Sequence, residues 1–248
     1  MKPVISIAIE TSCSRGGLAL GAGDGLVGTV DFDAGRRHAA QVISRLAELV
    51  ETAGLAPTDL REVYVSVGPG SFTGVRVGVT VARTLAQALA GVRCVAVPTA
   101  AAVAENARDL PFDHLGVVLD AREDQVYFAL FARLRGRLVA ASPARVLSTH
   151  ELLRQMPRGI LLIGQALEHL ALGTAGQTRS GQDLQADGVQ IASPHDPALH
   201  LPTAASVWRV GRRMAQDGRY TPYPQLLPIY PREPEAVRLW DQRARQGG

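Results

Sequence analysis

One order of elements is written twice along this chain. The run "VISIAIE" (4–10) is branched and apolar and ends in a carboxylate, as expected of a strand buried on both faces. Strand patterns at 17–22 and 26–33 follow about a Gly23-Asp24-Gly25 turn. Residues 38–54 predict a helix with the apolar stripe Ala39, Val42, Ile43, Leu46, Leu49, Val50 and Ala53, ended by Gly54. A strand at 63–67, a helix over about 72–90, "CVAV" at 94–97 and a short helix from Thr99 complete the unit. The order then restarts. "LGVVLD" (115–120) again ends in a carboxylate, and 126–134 and 137–147 predict a hairpin about Gly136. Ser148 and Glu151 form a capping-box pattern for the next helix, and "GILLIG" (159–164) is a further strand before another helix.

The two first strands align without a gap, "IAIETSCSRGGLAL" over "VVLDAREDQVYFAL", which pairs Glu10 with Asp120. Two lobes, each βββαβα, then face one another across a cleft with these carboxylates on opposite walls. This plan resembles the two-lobed α/β fold of actin-like ATPases and sugar kinases (RNase H-like). The expected division is 1–109 for the first lobe and 110–248 for a degenerate second lobe with an extended tail. The last helix of that tail is expected to pack back on the first lobe.

In such a cleft, strand turns hold phosphates and a metal. They need small residues, so that backbone N–H groups approach an anion, and a carboxylate for metal or water. The first turn has Thr11, Ser12, Ser14, Gly16 and Gly17 after Glu10. The second has Ala121-Arg122-Glu123-Asp124, two acids and no glycine. Glu10, Ser12 and Asp120 are therefore weak nucleotide candidates, and no independent ATP hydrolysis is expected. His38 has no partner one turn away, so no metal site is expected. Cys13 has no local base and reads as structural.

"GPGSFTGVRVG" (68–78) is neither a dinucleotide fingerprint, since Thr73 stands where the third glycine belongs, nor a P-loop, since lysine is absent. Gly68, Gly70 and Ser71 read as a rigid turn with a helix cap, and as weak anion candidates at the helix start. Gly74, Gly78, Ala82, Ala86 and Ala90 continue at intervals of four, a smooth ridge of roughly 24 Å. Each glycine inside a helix costs about 1 kcal/mol relative to alanine, so close approach of another element is implied. Two readings stand at this point. The ridge takes a partner helix pair, with Val42, Leu46, Leu49, Phe72, Gly74, Val77, Gly78, Val81, Ala82 and Ala86 as the interface, or both helices pack only on their own sheet. The first reading predicts that leucines at 74 and 78 block a partner in a chain that stays folded.

Composition narrows the function classes. The net charge is +3, carried by 25 Arg and one Lys, and aromatics make up 5% of residues. That is too few aromatics for a base-stacking surface. Arginine usage is open to a genomic bias or to an RNA-facing surface. Two cysteines make no disulfide framework. With no leader-like start and no apolar run of about 18 residues, a cytoplasmic chain without membrane contact is expected.

"IAIETS", "GPGSFTGVRVG", "LDAREDQVY" (119–127) and "PIYPREPEA" (228–236) together resemble the TsaB (YeaZ) family of tRNA threonylcarbamoyladenosine biosynthesis subunits, over nearly the whole chain. The resemblance implies a non-catalytic subunit that binds and activates the transferase TsaD, together with the ATPase TsaE. It meets tRNA through that complex and forms homodimers when alone. The contact it implies is a helix bundle built from the first two helices. No cofactor is implied beyond a nucleotide in the assembled complex. Glu10 stands where many members carry Asp, and 173–188 is polar and loop-like, so nothing is carried onto it. The tail 208–248 reads as an extended strap followed by a short helical piece. The alternative is a small-molecule kinase, ATPase or peptidase acting through the cleft.

Overall fold

Every residue of β1 (Ile5–Glu10) is buried, but its two faces differ in size. Ile5, Ile7 and Ile9 point to one side, while Ser6 and Ala8 point to the other. This computed structural model describes residues 2–33, 38–121, 125–167, 190–191 and 196–231. The first sheet adds β2 (Arg15–Ala22), β3 (Gly25–Asp33), β4 (Leu60–Ser66) and β5 (Arg93–Val97), in the order β3-β2-β1-β4-β5. β2 runs antiparallel to β1 and β3, and β4 and β5 run parallel to β1. Helices α1 (His38–Thr52) and α2 (Phe72–Ala88) cover the isoleucine face.

The second sheet repeats the order. It contains β6 (His114–Asp120), β7 (Gln125–Leu134), β8 (Arg137–Ala140), β9 (Arg145–Ser148), β10 (Ile160–Ile163) and β11 (Gln190–Ile191), arranged β11-β10-β6-β7-β8. The fold is thus the two-lobed α/β architecture that the repeated pattern predicts. The expected single strand over 137–147 is two strands. β8 pairs Phe131–Leu134, and β9 pairs Gln125–Phe128. Ser142 and Pro143 lie in the break, where proline has no N–H for the ladder. The expected capping box is present, with Ser148 and Glu151 exchanging bonds at the start of α4 (Thr149–Gln155). α3 (Thr99–Asn106) is buried between the lobes, with Ala102 in the core of the first and Val103 and Ala104 in that of the second.

After α5 (Pro197–His200) the chain returns to the first lobe. The tail expected to be a strap from 208 onward instead begins as α6 (Ala204–Gln216), whose start Thr203 and Ser206 cap reciprocally. α6 lies on the small-residue face of the first sheet, so residues assigned to 110–248 complete the core of the first lobe. The fit is close because of two glycines. A Cβ at Gly21 would overlap the Trp208 ring, and one at Gly211 would overlap Tyr64. Trp208 Nε1 donates to Ser6 Oγ at 2.9 Å, so its one polar atom is satisfied inside the core. Beyond α6, Thr221 bridges to Cys94 on β5, and Ile229 N donates to Val67 O at 2.6 Å. The expected helical piece near 235–245 and the loop 173–188 lie outside the described residues.

Candidate functional site

The turn after β1 is held by its own atoms. Glu10 is fully buried. Its Oε1 accepts from the Ser12 amide and, at 2.6 Å, from the Ser12 hydroxyl. Ser66 Oγ lies 3.4 Å from Ser12 Oγ and 2.8 Å from Thr99 Oγ1, which continues the polar row under the turn. Glu10 Oε2 has no hydrogen-bond partner. Burial therefore pushes the carboxyl above its ordinary value of 4.5, and the Ser12 and Ser66 bonds offset only part of that rise. Cys13 beside it is pushed up to about 12, first by burial and then by Glu10, so it stays a thiol at neutral pH.

Several of the donors in this turn and at the start of α2 are already engaged. Ser12 N and Oγ both point at Glu10, Ser71 N donates to Ser12 O at 2.7 Å, and Gly74 N donates to Ser71 Oγ at 3.2 Å. Glu10, Ser12, Gly68, Gly70 and Ser71 do come together, but as a closed structural knot and not as an open anion cradle. Of the two carboxylates expected on opposite cleft walls, Glu10 is buried under its own turn, while Asp120 is exposed at the end of β6. The acids Glu123 and Asp124 lie outside the described residues, and so does the reading of the second turn that rests on them.

The glycines of 68–78 serve this closure. A Cβ at Gly70 would meet Ser12 Cβ at 2.9 Å and overlap the Ser12 carbonyl oxygen. One at Gly74 would overlap the Thr11 carbonyl oxygen, and one at Gly78 the Thr11 hydroxyl. Thr11 Oγ1 donates to Gly74 O at 2.8 Å. The Gly74, Gly78 and Ala82 part of the ridge therefore faces the turn and sheet of its own lobe, while Ala86 is half-buried and Ala90 exposed. This corrects its assignment as a partner groove. Spacing by four identifies a smooth face but not what lies against it, and here the Thr11 backbone lies against Gly74 and the Thr11, Val65 and Ile9 side chains against Gly78. Gly68, at φ +107°, lets the strap pass, since a Cβ there would touch Ile229 O at 2.5 Å.

The expected interface residues divide accordingly. Val42, Leu46, Gly74, Gly78, Val81 and Ala82 are buried in the first lobe and present no surface. Leu49, Val77 and Ala86 are half-buried, and Phe72 is 40% exposed. The outward face of α2 is Thr73, Arg76, Thr80, Thr84 and Gln87. That of α1 includes Ile43, Ala47, Glu48 and Glu51, with Ile43 51% exposed. Ile43, a member of the predicted α1 stripe, is exposed, and Thr80 is a surface position that the apolar pattern does not pick out, because surface threonines carry no periodic signal. At the start of α2 the Arg76 guanidinium lies 3.7 Å from the Phe72 ring centroid, and its Nε donates to Tyr230 OH at 2.8 Å. The strap is thereby tied to α2.

Among the described residues no group of three or more His, Cys, Asp or Glu is placed to hold a metal ion. Nor is any described helix long and apolar enough to cross a membrane. The fold and the site define a class: a two-lobed α/β chain whose first strand turn is packed against the start of α2. A family profile described as "TsaD: tRNA N6-adenosine threonylcarbamoyltransferase" matches residues 25–194. The chain is 33% identical over 181 residues to the tRNA threonylcarbamoyladenosine biosynthesis protein TsaB of Bacillus subtilis, covering 68% of this chain and 77% of that one. It is 25% identical over 225 residues to the Escherichia coli TsaB, covering 90% and 93%. YeaZ from Pseudomonas aeruginosa superposes with a TM-score of 0.74 at 22% identity, over 92% of this chain and 99% of that structure. The chain belongs to the TsaB family.

Two outcomes test the closed turn. Gly74→Ala and Gly78→Ala each lower the melting temperature of the isolated chain, because the added methyl meets Thr11 and not a partner; unchanged melting would return the ridge to the surface. Glu10→Gln tests the buried acid. Below pH 4.5 the folded and unfolded chains both carry the Glu10 proton. As pH rises past that value only the unfolded chain ionises, so Glu10 lowers folding stability increasingly. The melting temperature of Glu10→Gln relative to wild type is therefore higher at pH 7.5 than at pH 4.5. A difference independent of pH would contradict the sealed carboxyl.

Proposed function

We propose that this chain is a non-catalytic subunit of the tRNA threonylcarbamoyladenosine machinery, which binds and activates the transferase TsaD and works with the ATPase TsaE. Its relatives are named for tRNA threonylcarbamoyladenosine biosynthesis, and family membership assigns this chain to that pathway. The observation that carries the non-catalytic part is the closed turn. Glu10 and Ser12 occupy the position where an actin-like cleft would meet nucleotide, yet Ser12 is spent on Glu10 and both are buried. A subunit that does no chemistry of its own contributes through its surface. The outward faces of α1 and α2 are the candidate contact, with Ile43 and Phe72 as exposed apolar residues.

The proposed contact is a mixed apolar and hydroxyl surface, the kind that packs another pair of helices closely. The same face serves a second copy of this chain when the transferase is absent, so homodimer and heterodimer exclude one another. The complex works in the cytoplasm, and tRNA reaches this subunit through it. Nucleotide, if held at all, belongs to the assembled complex.

The experiment is a paired charge insertion at exposed positions, Ile43→Asp with Thr80→Asp. Neither side chain is buried, so the melting temperature stays within a few degrees of wild type. Co-purification with TsaD is lost, and reconstituted tRNA modification falls at least tenfold. Retained binding and activity in the folded double variant would remove α1 and α2 as the contact. Steady ATP turnover by the isolated chain, abolished by Glu10→Ala, would favour the enzyme reading instead.

A further inference from the structure

On the far side of the first lobe from α1 and α2, three arginines meet two acids. Arg108 follows α3, while Arg209 and Arg213 lie one turn apart on α6. Glu105 is buried and fully engaged. Arg213 Nη1 donates to its Oε1 at 3.0 Å, Arg213 Nη2 donates to its Oε2, and Arg108 Nη1 approaches at 3.7 Å. Asp109 pairs with Arg108 Nε at 3.0 Å. Both acids are thus taken by the two outer arginines. Arg209 is half-buried, lies within electrostatic reach of all four groups, and has neither a hydrogen bond nor an ion pair among the described residues. The cluster holds three guanidinium groups against two carboxylates, a surplus of one positive charge.

Half-burial and the neighbouring Arg108 lower the Arg209 pKa, and the attraction of Glu105 and Asp109, both already engaged by the other arginines, offsets only part of that. Nothing in the packing of α6 requires Arg209 there. The core contacts of that helix come from Ala204, Val207, Trp208, Val210 and Ala215. The neighbouring Arg212 shows the alternative, being paired with Asp24 at 3.1 Å. An anion brought in from solution would satisfy Arg209. Phosphate oxygens match the fork of the guanidinium, and Arg108 and Arg213 remain 43% and 30% exposed, able to turn a free N–H toward the same ligand.

We propose that Arg209, flanked by Arg108 and Arg213 at the junction of α3 and α6, binds a phosphate group, with the phosphodiester of an RNA backbone as the ligand that best fits a surplus of one charge. α6 covers the Ser6 and Ala8 face of the first sheet, whereas α1 and α2 cover the isoleucine face. Phosphate at Arg209 and a partner on α1 and α2 therefore bind at the same time. This site does not depend on which protein partner occupies the helical face.

The test uses the full-length chain with two probes, an unmodified tRNA and ADP, each titrated across a range of salt. Arg209→Gln weakens tRNA binding roughly three- to tenfold at low salt and lowers the slope of log K against log salt by about one, the signature of one lost phosphate contact. Arg209→Lys keeps the slope, and Arg61→Gln, on an exposed arginine elsewhere in the lobe, changes affinity less. The melting temperature of Arg209→Gln is unchanged or raised, because an unpaired like charge is removed. Loss of ADP binding with tRNA binding intact would keep the phosphate site and assign it to a nucleotide. No effect on either probe, or no binding of either by wild type, would overturn the proposal. So would a lowered melting temperature with binding unchanged, which marks a structural arginine.

Discussion

The backbone of Thr11 and Ser12 lies directly on the glycine face of α2, and the first lobe is organised around that contact. Gly70 and Gly74 leave out methyls that would collide with that backbone, and Gly78 one that would collide with the Thr11 hydroxyl. Thr11 Oγ1 bonding to Gly74 O and Ser71 N bonding to Ser12 O lock strand turn and helix start together. Two glycines inside a helix cost about 1 kcal/mol each in propensity. The hydrogen bonds made by Thr11 and Ser12 offset part of that loss. The consequence for function is direct. A turn held this tightly keeps Ser12 against Glu10.

The opposite face of the same sheet uses the same device. Small residues on β1 and β2, with Gly21 and Gly211 at the closest points, let α6 approach until Trp208 reaches Ser6. A buried acid, Glu62, then ties the returning chain to the sheet. It accepts from Tyr64 OH, from Tyr220 OH at 2.7 Å and from Arg93 at 2.8 Å, with Arg212 at 3.8 Å. A carboxylate this deep is tolerable only with several donors, and removing any of them leaves charge without compensation. The first lobe is therefore closed by residues almost 200 positions from its start, which is why a cut at 109 does not divide the molecule into independent units.

Much of this was legible in the sequence. The strand order, the repeated carboxylate at the end of β1 and β6, and the capping box at Ser148 follow from local periodicity and spacing, which the structure keeps. What was not legible depends on which neighbour a face meets. The ridge of Gly74, Gly78 and Ala82 is a correct reading of a smooth surface, but periodicity says nothing about whether sheet or solvent faces it. Glu10 reads as a cleft residue because its type and position suit chemistry; that its carboxyl points under its own turn is a tertiary fact. α6 was hidden because its arginines mask the stripe of Ala204, Val207, Trp208 and Gly211. A helix stripe does not fix its own edges, so Ile43 belongs to the α1 stripe and is nevertheless exposed.

For this chain of the TsaB family, with its closed turn and exposed faces on α1 and α2, the proposed role is that of a subunit working through contact. The most direct measurement is hydrogen–deuterium exchange of this chain with and without TsaD. The account predicts added protection in α1 and in the outward half of α2, with α6 unchanged. Protection confined to α6 or to the second sheet, with α1 and α2 exchanging as in the free chain, would contradict it.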